Sequence, residues 1–209
     1  NNEIMRRLAA VKEMRLKSTA APTRAMADAP YKFFSAPQKE GDCLCIPEVS
    51  SERRKYIPMG FLKNGIIASN KLLILPDASI YHFGVLISNV HMAWTRTVCG
   101  RLKSDYQYSG AIVYNNFPSP IPTEQQKQRI EQTAQAILDA RALYPDCSLA
   151  DLYDELTMPP ELRKAHQAND RAVMDAYGFT KGTAARTSES ACVAELMKLY
   201  QQKASEPEK

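Results

Sequence analysis

Apolar residues recur at two different spacings along this chain, and the change of spacing divides it. Near the N-terminus Ile4 and Leu8 recur at helical spacing among basic residues, which predicts a helix over residues 3–18. Residues 43–75 instead carry short apolar runs and alternations that are typical of β-strands. The helical spacing then returns in the last part of the chain. The pattern therefore predicts an α+β fold, with short, mostly antiparallel strands and packed helices followed by a small all-helical C-terminal domain.

Turn signals separate the predicted strands. Asn64 and Gly65 both accept positive φ, and they predict a hairpin whose second strand begins at Ile66 and Ile67. Pro76 and Asp77 predict another turn. Residues 80–86 fit either a strand or a helix, and residues 112–114 are predicted as one further short strand.

Capping and terminating residues mark the predicted helices. The face shared by Trp94 and Val98 predicts a helix that Gly100 ends. Thr123 with Gln126 three residues later is a capping-box pattern at the start of a long helix. Two more predicted helices begin at Pro160 and after Ser188; the first is closed by Gly178, and a frayed tail, residues 203–209, follows the second.

These patterns predict three segments. Residues 1–41 are an N-terminal helix and a connector, residues 42–120 hold the predicted strands, and residues 121–209 are helical. Because the chain starts within a helix and has no initiator methionine, we expect it to be part of a longer polypeptide.

Composition favours a folded protein with positive charge in its first half. The chain is 44% hydrophobic and 24% charged, as is ordinary for a globular domain. Lys and Arg outnumber Asp and Glu by 8 to 3 over residues 1–39 and by 8 to 6 over 40–118, but not over 119–209, where the counts are 11 and 14. A polyanion would be attracted to the first half, although an incidental surface charge gives the same count.

The sequence shows neither a membrane-spanning segment nor a signal peptide. No stretch reaches the roughly 18 apolar residues of a membrane helix, and the N-terminus lacks a signal-peptide layout. We therefore expect a cytoplasmic protein with no membrane contact. In that compartment the five cysteines, which lack C-x-x-C spacing, are expected to be reduced thiols without a metal, with Cys43 and Cys45 as strand side chains.

Familiar catalytic motifs are absent from the sequence. It contains no G-x-G-x-x-G, no G-x-x-x-x-G-K-[ST] and no H-E-x-x-H. His91 and Cys99 are eight residues apart on a predicted helix, which is about 12 Å and too far for a nucleophile and its base. His82 and His166 are expected to have structural roles. We predict no catalytic residue in this chain.

A polar row follows the predicted helix. Lys103, Asp105 and Gln107 alternate along a segment too polar to be core. A lysine donates to guanine N7 and O6, an aspartate accepts from the N4 amine of cytosine, and a glutamine suits adenine. If the segment is extended, Lys103 and Asp105 lie on the same side and could read both halves of one G·C pair. The alternative is an exposed ion pair worth less than about 1 kcal/mol.

Basic residues near this row are predicted phosphate contacts. Such contacts set the register on a duplex without specifying sequence, and a plain solvated charge is the alternative for each. Trp94 and Tyr81 are expected to be core residues rather than base-stacking platforms. The predicted phosphate contacts are Arg53, Arg54, Lys55, Arg96 and Arg101.

Several stretches resemble one protein family, namely residues 46–58, 91–94, 98–104, 114–118, 140–145, 149–153 and 158–162. From about residue 42 to about residue 179 the chain resembles the C-terminal part of the MmeI-like bacterial restriction-modification enzymes and their DNA methylase relatives. One polypeptide of that family carries a nuclease domain, a helical connector, an S-adenosylmethionine-dependent adenine methyltransferase domain, a target recognition domain and a C-terminal helical region. The resemblance implies that this chain corresponds to the last two.

The resemblance also implies where bases are read and where catalysis occurs. It places base-reading positions near Asn70 and Lys71 as well as along the polar row, with double-stranded DNA as the partner. An N-P-P-Y-type tetrapeptide and a glycine-rich cofactor loop are missing, and residues 115–118 are no substitute. We therefore expect no cofactor in this chain, which alone would be inactive, and S-adenosylmethionine in a methyltransferase domain of the same polypeptide, with or without a fused endonuclease. The rival interpretation is a helical protein-interaction module without intrinsic DNA binding.

Overall fold

The computed structural model describes residues 1–33 and 40–205 and divides the chain into two compact units, residues 1–39 and 40–209. The fold is α+β, as the sequence predicts: short antiparallel strands packed with helices come first, and helices alone follow. None of the helices in the described ranges is long and apolar enough to cross a membrane.

The first unit is built around a helix, α1 (Asn2–Leu16), with a shorter helix, α2 (Ala21–Ala25), after it. α1 confirms the helix predicted near the N-terminus, although Ile4 on its apolar stripe is 54% exposed. The buried side chain of α1 is Arg15. Its guanidinium donates to three backbone carbonyls and so holds the segment after α2 against α1. The acceptors are Met26, Ala29 and Lys32, at 2.6 to 2.8 Å.

The second unit begins with a three-stranded antiparallel sheet. Its central strand is β1 (Cys43–Pro47), which carries Cys43 and Cys45 as buried strand side chains, as predicted. The sheet order places β1 between two strands that are later in the chain, so these two do not pair with each other. The flanking strands are β3 (Gly60–Leu62) and β4 (Leu72–Pro76).

The predicted hairpin at Asn64 and Gly65 is therefore wrong. The chain does turn there, with Gly65 at φ +86° and the Ile66 amide donating to the Lys63 carbonyl at 3.1 Å. However, residues 66 and 67 do not form a strand, and β3 pairs with β1 instead.

A second three-stranded sheet joins the first through one residue, Glu48. Its strands are β2 (Val49–Ser50), β5 (Gly100–Leu102) and β6 (Asp105–Gln107), in the order β2–β6–β5. The amide of Glu48 donates to the Lys71 carbonyl at 3.0 Å, and its own carbonyl accepts from the Tyr108 amide at 2.7 Å. These two bonds connect the end of one sheet to the other.

The two sheets are linked by α3 (Ile80–Leu86) and α4 (Asn89–Val98). A π-helical turn (Gly110–Tyr114) follows the second sheet, so the strand predicted at residues 112–114 is wrong. The Trp94 indole Nε1 donates to the Val113 carbonyl at 3.0 Å, which connects this turn to α4.

Three C-terminal helices begin where the sequence predicts: α5 (Glu124–Ala142), α7 (Pro160–Ala176) and α9 (Glu189–Ser205). Both capping-box bonds of α5 are present: the Gln126 amide donates to Thr123 Oγ1 at 3.3 Å, and the Thr123 amide donates to Gln126 Oε1 at 2.9 Å. Gly84 lets α3 approach this helix, because a Cβ there would lie 2.7 Å from Cγ2 of Ile130. The bounds are α5 Glu124–Ala142, α6 Leu149–Leu152, α7 Pro160–Ala176, α8 Ala184–Thr187 and α9 Glu189–Ser205.

Both sheets and the C-terminal helices contribute to one buried core in the second unit. Trp94 is 2% exposed at its centre, in agreement with its predicted core role. Leu44 from β1, Ile130 from α5 and Leu196 from α9 are fully buried in the same cluster. The helices after residue 121 therefore support the sheets directly.

Candidate nucleic-acid interface

The polar row predicted to read bases lies on a hairpin formed by β5 and β6. Leu102 pairs with Asp105, so only Lys103 and Ser104 form the turn. Lys103 has a φ of +58°, in the left-handed region that side chains other than glycine rarely adopt. The prediction that Lys103 and Asp105 lie on the same side of an extended segment is therefore wrong, because the turn comes between them. Lys103 is instead exposed at the tip of the hairpin.

Strand alternation places Asp105 and Gln107 on the same face of β6. Between them Tyr106 points to the opposite face and is only 4% exposed. Gln107 is exposed and Asp105 half-buried, and the register puts Leu102 on the same face, 53% exposed. The hairpin therefore presents two polar side chains in a row, with Lys103 beyond them at the turn.

Arg101 is held in place on the hairpin although it is exposed. Its guanidinium lies 4.2 Å from the centroid of the Tyr106 ring, a cation–π distance. It also donates to the carbonyls of Ser104 and Arg96, at 3.2 and 3.4 Å. A positive charge is thus fixed on the face of the hairpin opposite Asp105 and Gln107.

The basic segment 53–55 lies next to the same hairpin. The amide of Glu52 donates to Asp105 Oδ1 at 3.2 Å, and this bond ties the start of the segment to β6. At its other end the Lys55 carbonyl accepts from the Arg96 guanidinium at 3.4 Å. In the described part of the chain no carboxylate lies within 4 Å of the cationic groups of residues 53–55, so their charges are available to a partner.

Arg96 is placed differently from the other predicted phosphate contacts. Its guanidinium forms a 3.2 Å ion pair with Glu189, at the start of α9, and its side chain is 28% exposed. It therefore connects the basic segment to a C-terminal helix, and part of its charge is neutralised within the protein.

Asn70 and Lys71 reach the same region through Glu48. Both are exposed, and Lys71 Nζ lies 3.6 Å from Glu48 Oε2. Glu48 bonds to the backbones of both Lys71 and Tyr108, so both residues are its direct hydrogen-bonding neighbours. Hydrogen bonds of Glu48 and Glu52 therefore link residues 53–55, residues 70–71 and the β5–β6 hairpin.

Sequence reasoning missed Glu48 and Glu52, which hold these segments together. Both act through backbone amides and, for Glu48, a backbone carbonyl. No side-chain pattern marks such contacts, so the sequence gives no signal for them.

The remaining candidate groups have structural partners. His91 is buried, with Nε2 3.1 Å from the Tyr108 hydroxyl, and burial lowers its pKa to about 4. His82 accepts from the Ser79 amide at the start of α3. The Asn116 amide donates to two carbonyls of the π-helical turn at 3.0 Å. In the described ranges, no group of three or more His, Cys, Asp or Glu side chains is arranged to hold a metal ion.

Comparisons with known proteins match nearly the whole chain. A family model described as "MmeI, target recognition domain" matches residues 1–121, and one described as "MmeI, C-terminal domain" matches residues 122–206. DNA methyltransferase A of Bacillus subtilis (strain 168) is 39% identical over 202 residues, which are 97% of this chain and 22% of that protein.

A solved structure of the Type IIL restriction-modification enzyme MmeI in complex with DNA is also similar. It is 47% identical in sequence, with a TM-score of 0.90 over 97% of this chain and 27% of that one. The chain therefore spans less than a third of the length of either relative.

Proposed function

Because this chain belongs to the MmeI family, matching its target recognition and C-terminal domains, we propose that it recognises a specific sequence in duplex DNA. In this proposal it positions the duplex for adenine methylation by an S-adenosylmethionine-dependent domain of the same polypeptide. The catalytic domain would extract the target adenine from the stack, as enzymes that modify a base in a duplex must do.

The observation that supports this proposal is that three polar or basic segments are linked to one another by hydrogen bonds. The β5–β6 hairpin, the basic segment 53–55 and residues 70–71 are joined by the Glu48 and Glu52 backbone bonds. A two-stranded hairpin fits a major groove about 12 Å wide, and cations beside it would meet the flanking phosphates. Base reading and backbone contact can therefore occur together.

Each side chain has a role that its chemistry allows. Lys103, at the exposed tip, donates to guanine N7 and O6, and Asp105 accepts from cytosine N4. Only Oδ1 of Asp105 is engaged by the described residues, so Oδ2 remains to accept from a base. Gln107 on the same face suits adenine, while Asn70 and Lys71 would read neighbouring base pairs.

Phosphate binding is assigned to the basic side chains around the hairpin. Arg53, Arg54 and Lys55 have no carboxylate partner in the described ranges, and Arg101 is fixed over Tyr106. Arg96 would contribute less, since Glu189 already pairs with it.

The residues of this chain do not fit an S-adenosylmethionine site. The sequence lacks the tetrapeptide and the glycine-rich loop, and the Asn116 amide is used within the π-helical turn. The cofactor and the methyl transfer are therefore assigned to another domain of the polypeptide, and no step is assigned to residues here.

A double charge exchange tests the base-reading assignment in the full-length polypeptide. Lys103→Glu combined with Asp105→Arg should replace guanine by cytosine at one position of the recognised site, since each new side chain suits the opposite base. Sequencing of methylated sites gives the answer. A matched control exchanges another exposed Lys–Asp pair, Lys63 and Asp42, which are 2.8 Å apart at the far end of β1. Unchanged specificity in a folded, active hairpin variant would contradict the assignment.

Salt dependence tests DNA binding by the chain itself. If roughly six phosphates are contacted, the affinity for duplex DNA should fall by about 10³ between about 50 and about 200 mM salt. Absence of binding at low salt by the folded chain would contradict the proposal and favour a protein-interaction module.

A further inference from the structure

A buried group of polar side chains lies where the sheets meet the C-terminal helices. We call it the Asp170 cluster; at its centre Asp170, on α7, is 6% exposed. The other members are also buried, at 0 to 1% exposure: His166 lies on the same helix, and Tyr56 and Tyr153 come from earlier parts of the sequence.

Two neutral donors hold the Asp170 carboxylate. The Tyr56 hydroxyl donates to Oδ2 at 2.6 Å, and the Asn89 amide donates to Oδ1 at 2.8 Å. In the described ranges no Lys or Arg nitrogen lies within 4 Å of it. Burial raises the pKa of this carboxyl to about 6. A buried carboxylate is unfavourable without such bonds. The two donors therefore fix the position of the carboxylate, and the carboxylate fixes the positions of Tyr56 and Asn89.

Both donors lie next to elements of the candidate interface. Tyr56 directly follows the basic segment 53–55. Asn89 is the first residue of α4, and the β5–β6 hairpin begins two residues after that helix ends. A carboxylate at the start of a helix is also favoured by the helix dipole. A single side chain thus connects the segment that would bind phosphates with the helix that leads to the base-reading hairpin.

The other side of Tyr56 is fixed by the same helices. Its ring stacks on His166 with centroids 4.1 Å apart, and His166 Nε2 lies 2.7 Å from the Tyr153 hydroxyl. That hydroxyl accepts from Arg141 Nε at 3.0 Å, while another nitrogen of the guanidinium donates to the Met59 carbonyl at 2.8 Å. The backbone after the basic segment is therefore held at both Tyr56 and Met59.

We infer that Asp170 is a positioning residue for DNA binding: from the C-terminal helices it sets the distance between the basic segment 53–55 and the β5–β6 hairpin, so that both engage one duplex. The inference rests on the proposed function. It gives the C-terminal helices a part in DNA affinity without any contact between Asp170 and DNA.

The experiment measures binding of a fluorescent 30-base-pair duplex of mixed sequence to the full 209-residue chain over a range of salt concentrations. The variants are Tyr56→Phe, Asp170→Asn and Asp170→Ala. Tyr177→Phe is the control, since it removes another tyrosine hydroxyl bond, to the Pro118 carbonyl at 3.0 Å. Circular dichroism gives the folded fraction of each variant, and hydrogen exchange follows the amides of residues 51–56 and 89–92.

If Asp170 positions the basic segment, phosphate contacts are lost and the slope of log affinity against log salt should become shallower by about 2, with binding about 10-fold weaker at moderate salt. Amide hydrogen exchange should become faster at residues 51–56 and 89–92. Tyr177→Phe should keep the wild-type slope. Asp170→Asn retains one carbonyl acceptor, so its salt slope and its affinity should lie between those of the wild type and those of Asp170→Ala.

A purely structural role gives a different result. Loss of folded protein lowers the apparent affinity in proportion to the unfolded fraction but leaves the salt slope unchanged, and that outcome in Tyr56→Phe and Asp170→Asn would overturn the inference. If Asp170→Ala does not fold, these two milder variants still decide. Failure of the wild-type chain to bind duplex DNA overturns the proposed function and the inference with it, whereas binding with an unchanged slope overturns the inference alone.

Discussion

The β5–β6 hairpin and the Asp170 cluster are built from the same kinds of side chain but differ in their access to water. In each an aspartate accepts from a backbone amide: Asp105 from Glu52, and Asp170 from Asn89. In each an arginine lies over a tyrosine ring: Arg101 is 4.2 Å from the Tyr106 ring in the hairpin, and Arg141 is 4.9 Å from the Tyr153 ring of the cluster.

The difference in exposure changes what these bonds do. Water can replace a lost partner in the hairpin, so its side chains contribute little to folding and remain free to bind a ligand. In the Asp170 cluster water cannot replace a lost partner, so a buried group would be left without a hydrogen bond. The side chains of the cluster are therefore fixed by the fold. Substitutions of matching residues in the two regions should show this difference directly.

The largest effect is expected from Asp170→Ala. The Tyr56 hydroxyl and the Asn89 amide would both lose their buried acceptor, and each unsatisfied donor costs about 1–3 kcal/mol. The free energy of unfolding in urea should therefore fall by about 3 kcal/mol. A loss below about 1 kcal/mol would show that water or a neighbouring group replaces the carboxylate.

The next effect is a loss of stability on acidification. Burial lowers the pKa of His91 to about 4 and also lowers that of His166. Because an unfolded histidine titrates near 6.5, the unfolded chain binds protons that the folded chain does not. Between about pH 7 and about pH 5 His91 alone should lower the free energy of unfolding by about 2 kcal/mol.

Asp170 has the opposite effect on the free energy of unfolding between about pH 7 and about pH 5. Its pKa is raised to about 6 in the fold, so the folded chain binds this proton first and gains about 1 kcal/mol by about pH 5. The destabilising effect of the two histidines, His91 and His166, is larger than the stabilising effect of Asp170. Urea titrations at several pH values should therefore show a net loss of stability on acidification. His91→Gln should reduce the pH dependence; a wild-type chain that becomes more stable on acidification would contradict the balance.

A smaller effect is expected from Asp105→Ala, the exposed counterpart of Asp170→Ala. It removes one exposed bond, from the Glu52 amide, so the free energy of unfolding should change by less than about 1 kcal/mol. Discrimination at the base it reads should nevertheless fall by about 5- to 150-fold, from the 1–3 kcal/mol of a specific contact. A stability loss equal to that of Asp170→Ala would remove the contrast between the two regions.

The smallest effect on stability is expected from Lys103→Gly, and it should be favourable. Lys103 holds a φ of +58°, where glycine avoids a cost of about 1–2 kcal/mol but loses part of that gain to its flexibility when unfolded. The expected gain is about 0.5 kcal/mol in thermal unfolding, together with lost guanine preference. Destabilisation by glycine would show that the lysine side chain supports the turn.

Local signals predicted the long helices of this fold but not its short ones. The capping box of Thr123 and Gln126 forms within four residues, so a short window of sequence contains all of its partners. The turn at Asn64 and Gly65 was also found locally. The strand partner of β3 was not, because β3 pairs with β1, which lies about twenty residues before that turn.

The candidate site was predicted in composition but not in geometry. The polar row and the basic segment are visible as residue types, yet the turn at Lys103 depends on pairing between β5 and β6. The Asp170 cluster was missed entirely, since Tyr56 and Asp170 are 114 residues apart and neither belongs to a motif. Contacts across such separations follow from tertiary packing and not from local preference.

The turn of only two residues between Leu102 and Asp105 has a consequence for how new specificities can arise. One inserted or deleted residue in β6 would shift its pairing by one and turn Asp105 and Gln107 inward, with Tyr106 outward. Substitutions that keep the length of β6 can therefore change the recognised DNA sequence step by step. An insertion or deletion in β6 would instead remove all of its base contacts at once.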